Sequence, residues 1–442
     1  MTRRAQIIVL LIALALRVGY VLVANDWHHP VTFEYGEIAS HLLAGEGYSA
    51  RPFIPIYGKA LLGPVAPTAY MAPGYVVLLA GALFIFGSLG YLVLQLLQAL
   101  ASAVVCLVVA GVAGRVFERG AAMPAGVLAA LYPMLIYYSR IMQPTVFIAL
   151  AVALAVALLL RLAERPVKGL ALAAGLTLGI GILLEPVMLA FLPLGLGWLA
   201  WRDGWSRSAL LRVMTIGGVV CLLLAPWTVR NWLVFHRFVP VKSSLGLNLW
   251  LGNNPQATGY EFAEDGHRVL KSLSAEERGQ MAGMDEVAAS RHLRALALEF
   301  IRENPWRTVQ LAAAKFYCFW WVSPMRRGRR VHGEYRQTYL WLRKLVLGLL
   351  LASAGAGTAL ARPRLAQALL PGLVCAAFSL TYALTFAAHS RFKVPLEPLL
   401  LVFSAGAISW LAAALAERTG RAARGELSGR RPPASRGRGQ VG

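Results

Sequence analysis

Charge is scarce in this chain, and acid is scarcer still. Only 14% of the 442 residues are charged, and 43 Lys and Arg stand against 21 Asp and Glu. With 58% hydrophobic residues and a mean hydropathy of +0.59, there is too little polar surface to cover a water-soluble globule, so the composition specifies a polytopic membrane protein. Cysteine is also rare. Cys106, Cys221, Cys318 and Cys375 lie in apolar stretches without paired spacing, which excludes a disulfide framework and a cysteine metal site and leaves them as small buried hydrophobes. No Walker A, HExxH or GxSxG sequence occurs, so P-loop, zinc-protease and α/β-hydrolase chemistries have no motif to stand on.

What is abundant is apolar runs separated by basic loops. A net charge of +22 in a soluble protein would suggest nucleic acid. Here the Lys and Arg fall between the runs and in the C-terminal tail, the pattern of positive-inside loops and attraction to anionic headgroups. The run after Arg3-Arg4 extends to Ala24, longer than the roughly 7–15 residues of a signal h-region, and reads as an uncleaved first span. Ten stretches qualify as spans: 5–24, 91–114, 121–138, 144–160, 170–184, 187–201, 213–231, 341–360, 365–387 and 395–416. Placing the basic loops 115–120, 161–169, 202–212 and 361–364 in the cytoplasm puts both termini there as well.

Two further apolar stretches disturb that parity if counted. Gly74 to Phe86 is short, follows Pro73 and ends at Gly87, so it reads as an interfacial or re-entrant helix on the outer side. Trp306 to Val322 contains Arg307, Gln310 and Lys315 and reads as an aromatic-rich surface helix. The expected organisation is all-α. A transmembrane module over 1–231 includes an outer loop at 25–90; an outward-facing segment follows at 232–340, then C-terminal spans at 341–416 and a disordered basic cytoplasmic tail at 417–442.

Three places can carry chemistry. Residues 33–44, taken as a helix just after the first span, put Glu34, Glu37 and His41 on one face, with an apolar stripe of Tyr35, Ile38, Ala39 and Leu42 beside it. Such carboxylates would serve as bases if their surroundings raised their pKa; the plainer alternative is a solvated helix face. Arg230 ends a span on the outer side, where it would hold a phosphate bidentately or simply snorkel to the interface. Downstream, Gly252-Asn253-Asn254-Pro255 is either a sugar- or phosphate-binding turn or only a turn. His389-Ser390-Arg391-Phe392-Lys393 sets basic groups at the start of the last span, suited to phosphate or simply a charged loop. Arg17, inside the first span, is expected to bond carbonyls within the bundle. Glu185-Pro186, between two spans, is ambiguous.

These motifs in their order resemble the GT-C superfamily of membrane glycosyltransferases. The chain is similar to bacterial relatives of the protein O-mannosyltransferases and the lipid A aminoarabinose transferase, in glycosyltransferase family 39 and its kin. The resemblance runs through Glu34-Tyr35 with Gly45-Glu-Gly-Tyr-Ser49, Pro67-Thr-Ala, Ala72-Pro-Gly-Tyr75, Leu131-Tyr-Pro133, Pro226-Trp with Arg230-Asn231, and Arg391-Phe-Lys-Val-Pro395. It implies an inverting transfer from a polyprenyl-phosphate sugar to an envelope acceptor on the outer face of a bacterial inner membrane. Glu34 would be base or donor-orienting acid and Glu37 its neighbour. Tyr35, Arg230, His389, Arg391, Asn253 and Asn254 would lie on the donor and phosphate side. The sequence departs from that pattern where relatives often carry an acid after the Tyr-Pro helix: here it reads Ile141-Met-Gln143-Pro144. No metal ligands and no cofactor are indicated. The rival classes are a transporter or flippase of lipid-linked sugars, which needs a polar path through the spans, and a non-catalytic envelope-assembly protein.

Overall fold

A computed structural model of the protein describes residues 1–51, 64–260, 262–265, 267–281, 283–321, 334–385 and 390–429. It is predominantly helical, with one two-stranded ribbon among the described residues. The chain opens with α1 (Arg3–Ala24), whose first turn is capped by the Thr2 hydroxyl accepting from the Ala5 N–H at 3.3 Å. Then come α2 (Phe33–Leu43) and the antiparallel strands β1 (Ser49–Ala50) and β2 (Ala66–Pro67), followed by α3 (Pro73–Phe86) and α4 (Gly90–Val116). Next are α5 (Ala122–Leu131), α6 (Pro133–Tyr137), α7 (Thr145–Glu164), α8 (Lys168–Leu184), α9 (Met188–Arg202) and α10 (Arg207–Phe235). The segment beyond holds α11 (Leu245–Gly252), α12 (Ala275–Met281), α13 (Glu286–Glu303) and α14 (Pro305–Trp320), and the chain closes with α15 (Glu334–Leu360), α16 (Leu365–Leu384) and α17 (Glu397–Gly429).

Among the described residues, seven stretches are long and apolar enough to cross a membrane: α1, the α3–α4 pair, α7, α10, residues 341–360 of α15, α16, and residues 397–418 of α17. The helices α5, α8 and α9 are apolar but shorter, and α14, at 16 residues, falls outside both groups. The protein is a multi-pass membrane protein. Helix α3 is 14 residues, about 21 Å at 1.5 Å per residue, short of the ~30 Å hydrocarbon thickness. It folds back on α4 as a tight hairpin. Gly87 turns at φ +56°, and Gly90 lets the backbones meet, since a Cβ there would lie 2.5 Å from the Ala82 carbonyl oxygen. The Tyr75 hydroxyl donates to Gln98 Oε1 across the pair at 2.8 Å.

Two expectations need correction. The stretch 121–138 is two helices, α5 and α6, because Pro133 carries no N–H and stops the first. The tail expected to be disordered from residue 417 continues helix α17 to Gly429, through a stretch rich in the helix formers Ala, Arg and Glu. Its remainder, 430–442, lies outside the described residues.

Helix α4 is the hub of the bundle, packed on α1, α3, α5, α7 and α17. Its buried polar residues serve the α5–α6 break. Arg17 of α1 is fully buried. Its guanidinium donates to the Ala129 and Ala130 carbonyls at 3.0 and 2.9 Å, and its Nε to the Ser102 hydroxyl at 2.6 Å. Ser102 passes the network on to the Leu135 carbonyl at 3.0 Å. The side chains of Gln95 and Gln98 hold the carbonyls of Ser139, Arg140 and Ile141 at 2.8–3.0 Å. An irregular loop at membrane depth thus has its carbonyls answered from within the protein. At the far end of the bundle the basic loops gather, with Arg115 paired to Glu164 at 3.4 Å and Arg364 to Glu118 at 3.1 Å.

The segment after α10 has a core of its own, built from Leu247, Trp250, Val269, Met281 and Leu293. It is tied to the outer loop by Glu286, at the start of α13. The Glu286 carboxylate accepts from the Thr68 hydroxyl and the Ala69 N–H, both at 2.6 Å.

Candidate functional site

The helix α2 brings the first acid into place. It starts without a side-chain cap at Thr32, and Phe33 sits at φ +53°, a left-handed conformation that costs a bulky residue energy. Burial of Tyr35, Ile38 and Ala39 holds it there. The polar face divides in two. Glu37 Oε1 accepts from the Arg51 N–H at 3.0 Å, and His41 meets the Glu46 carboxylate at 2.5 Å, so both hold the turn that follows α2. Glu34, half-exposed, makes no hydrogen bond to a described residue.

Beside Glu34 lies a narrow cavity of about 20 Å³, lined by Tyr35, Gln143, Thr145, Glu185, Tyr382 and Arg391 among others. Four connections converge on it: the start of α2, the α6–α7 loop, the α8–α9 turn and the residues before α17. Glu185 is there because Pro186 disfavours helix at the residue before it. Helix α8 ends at Leu184, and Glu185 is extended at φ −150°, ψ 110°. Arg391 stands over the Phe392 ring at 4.8 Å and forms no ion pair among the described residues. The Tyr35 ring meets Tyr75 edge-on at 5.1 Å. Burial pushes the Tyr35 hydroxyl above its usual range; Arg391 opposes that, while Glu185 and Glu34 add to it. Burial likewise raises Tyr70 to about 12, with Glu34 adding and Arg391 opposing. Both phenols stay protonated at neutral pH. Among the described residues, no three His, Cys, Asp or Glu side chains gather as a metal-ligand set.

The structure brings together Glu34, Tyr35 and Arg391 of the residues singled out from sequence. Glu37 is near but already bonded. Arg230 is elsewhere: its guanidinium donates to the Thr68 and Tyr48 carbonyls, each at 2.7 Å, and bridges the ribbon to α10. Asn253 and Asn254 lie apart from the cavity and are buried. Asn253 Nδ2 donates to the Leu249 and Leu384 carbonyls at 2.9 and 3.1 Å, and Asn254 Nδ2 to the Trp250 carbonyl at 2.7 Å. Asn253 Oδ1 accepts from Lys315 at 3.2 Å, and Asn254 Oδ1 from the Gln256 N–H at 2.9 Å. Their amides build a turn, the plainer of the two alternatives. His389 lies outside the described residues. The sequence reading left Glu185 ambiguous and met Gln143 only as the place where relatives often carry an acid; the signal for Glu185 was an acid before proline between two apolar runs.

Residues 70–229, less than half of the chain, match the family model described as dolichyl-phosphate-mannose-protein mannosyltransferase. The fold is shared with the Archaeoglobus fulgidus oligosaccharyltransferase AglB. Its complex with Zn and sulfate aligns at a TM-score of 0.54 and 16% identity, covering 97% of this chain and 52% of that one. Its complex with an inhibitory peptide and a dolichol-phosphate gives 0.53 and 16%, with 99% and 52% covered. The chain therefore spans about half the length of that relative. ArnT from Cupriavidus metallidurans, bound to undecaprenyl phosphate, aligns at 0.40 and 15%, with 89% and 77% covered. No curated protein sequence matches the chain. The family match and the AglB fold bear out the GT-C resemblance: this is a polytopic helical protein of GT-C architecture.

Proposed function

We propose that the protein is a membrane glycosyltransferase. It moves a sugar, with inversion, from a polyprenyl-phosphate-linked donor to a lipid, glycan or protein acceptor at the outer face of a bacterial inner membrane. The observation that carries this reading is a cavity lined by the acid Glu185 and by Arg391, which has no ion-pair partner among the described residues, beside an apolar cleft. The cleft, about 340 Å³, runs between α1, the α5–α6 break and α15, lined by Tyr20, Leu131, Met134 and Val346, with Lys393 and Glu397 at its polar side. Arg391 lines the cavity and Lys393, two residues on, the cleft. A lipid-linked donor has that same division: an apolar chain, a phosphate and a sugar.

The chemistry follows from charge. The acceptor hydroxyl oxygen attacks the anomeric carbon from the face opposite the phosphate. The bond from that carbon to the phosphate oxygen breaks, and its electron pair leaves with the polyprenyl phosphate. Arg391 stabilises the charge gathering on that leaving group, and Glu34 takes the acceptor proton. Glu37 supports the turn that positions α2. Arg230 acts at one remove, by bracing the outer loop. The transporter reading asks for a polar route between the helices, but Arg17, Gln98 and Ser102 are bonded to backbone carbonyls and to one another's elements.

The test supplies purified protein with polyprenyl-phosphate sugars and membrane acceptors. Labelled sugar should move to an acceptor. Translocation of the sugar-lipid in vesicles without any transfer would instead establish the transporter.

A further inference from the structure

We propose that Gln143 and Glu185 form the subsite for a hydroxyl of the transferred sugar. This rests on the glycosyltransferase reading of the same site.

Gln143 is only 5% exposed and lines the cavity, yet its Oε1 is buried without a hydrogen-bond partner among the described residues. A buried amide left in that state is costly, and native proteins keep few of them without a reason. The carboxylate of Glu185 lines the same cavity and likewise makes no hydrogen bond to a described residue. Opposite stands Arg391, a donor with no ion-pair partner among those residues. Acceptors and a donor therefore face one small space.

Size and charge select the occupant. A cavity of about 20 Å³ admits a group the size of one water, since roughly 10–15 Å³ suffices for that. A phosphate is too large, and Glu185 repels it. An ammonium is repelled by Arg391. A neutral hydroxyl fits both ways: it donates to Gln143 or Glu185 and accepts from one of the five Arg391 N–H groups, the others being left for a phosphate outside the cavity. It also satisfies the Gln143 amide whichever end of that group faces inward. The subsite adjoins Tyr35, one residue from Glu34, so a sugar hydroxyl seated here brings the rest of the ring next to the proposed base.

The test compares two ligands on the full-length protein in detergent: undecaprenyl phosphate, and undecaprenyl phosphate carrying mannose, glucose or a pentose. The wild type should bind at least one sugar-bearing lipid more tightly than the bare phosphate. Glu185→Gln should shrink that preference about 10- to 100-fold, the loss expected for one hydrogen bond to a charged group. The affinity for undecaprenyl phosphate itself should hold. Gln143→Leu should also lose the sugar preference while raising the melting temperature of the ligand-free protein, because it removes a buried unpaired amide. A melting temperature lowered by Gln143→Leu, with sugar preference intact in both variants, overturns the subsite. So does equal loss of both ligands, or a wild type that binds bare and sugar-bearing lipids alike, while the glycosyltransferase reading survives. A wild type that binds neither lipid takes both readings down.

Discussion

At the scale of residues, the decisive difference is between polar groups already bonded and polar groups left open. Helical spacing put Glu34, Glu37 and His41 on one face and could rank none of them. Their partners differ: Glu37 takes the Arg51 N–H and His41 takes Glu46, while Glu34 bonds to no described residue. The same criterion removes Asn253 and Asn254, whose sequence is that of a good turn and also of a good ligand. Only long-range packing decides between those, because the carbonyl that Asn253 meets, Leu384, comes from the other end of the chain. Lys315 shows the cost of closing that packing. It is fully buried against the Gly252 carbonyl at 3.1 Å, and desolvation lowers its ammonium from 10.5 to about 8. The folded protein therefore sheds this proton before the unfolded chain does. Below pH 8 both states hold the proton and the desolvation burden on the fold is greatest; between pH 8 and 10.5 that burden lifts, and stability from this group rises. The melting temperature of the wild type should climb across that window relative to Lys315→Met. Parallel curves, offset but not converging, would contradict it.

At the scale of elements, the breaks matter more than the helices. The apolar runs were legible because span length and hydropathy are local properties: seven stretches among the described residues are long enough to cross, while the expected spans 121–138, 170–184 and 187–201 fall on shorter helices. The kink at Tyr132-Pro133 was present in the sequence as a proline, but a single 121–138 span hid it; the cue was Arg17, whose expected role of bonding carbonyls is the one it plays. A guanidinium that serves the break should be needed for stability and not for substrate. Arg17→Met should destabilise the protein by about 2–3 kcal/mol, taking ~0.6 kcal/mol for each hydrogen bond lost within a membrane protein. The check is thermal unfolding in detergent, with binding of undecaprenyl phosphate preserved below the melting temperature. Unchanged stability with lost lipid binding would make Arg17 a ligand-binding residue instead. The cavity was the least legible element. Its walls come from α2, the α6–α7 loop, the α8–α9 turn and the residues before α17, and no periodicity within one segment reports that four connections meet. Gln143 therefore read as a missing acid, although Glu185 supplies a carboxylate to the same cavity from another loop.

At the scale of the whole molecule, the basic loops and the cavity lie at opposite ends of the helices, as α7 and α8 show by running from Thr145 and Glu185 at the cavity to Arg161 and Lys168. Arg115, Glu164, Glu118 and Arg364 gather at one end, and the cavity loops at the other. That separation supports the proposal that the basic end is cytoplasmic and the cavity faces out. Reporter fusions ending at Gly87 and at Gln337 should both report an external location, and a cytoplasmic signal at either would overturn the topology. A fold hosts many activities, and the proposal stands on the residues of the site rather than on the architecture. The most direct test is sugar transfer from polyprenyl-phosphate donors by the wild type, Glu34→Gln and Glu37→Gln proteins. The account predicts that Glu34→Gln lowers the rate by about 10²–10⁴-fold, the usual worth of a general base, with donor binding retained and Glu37→Gln less affected. Transfer at the wild-type rate by Glu34→Gln would contradict it.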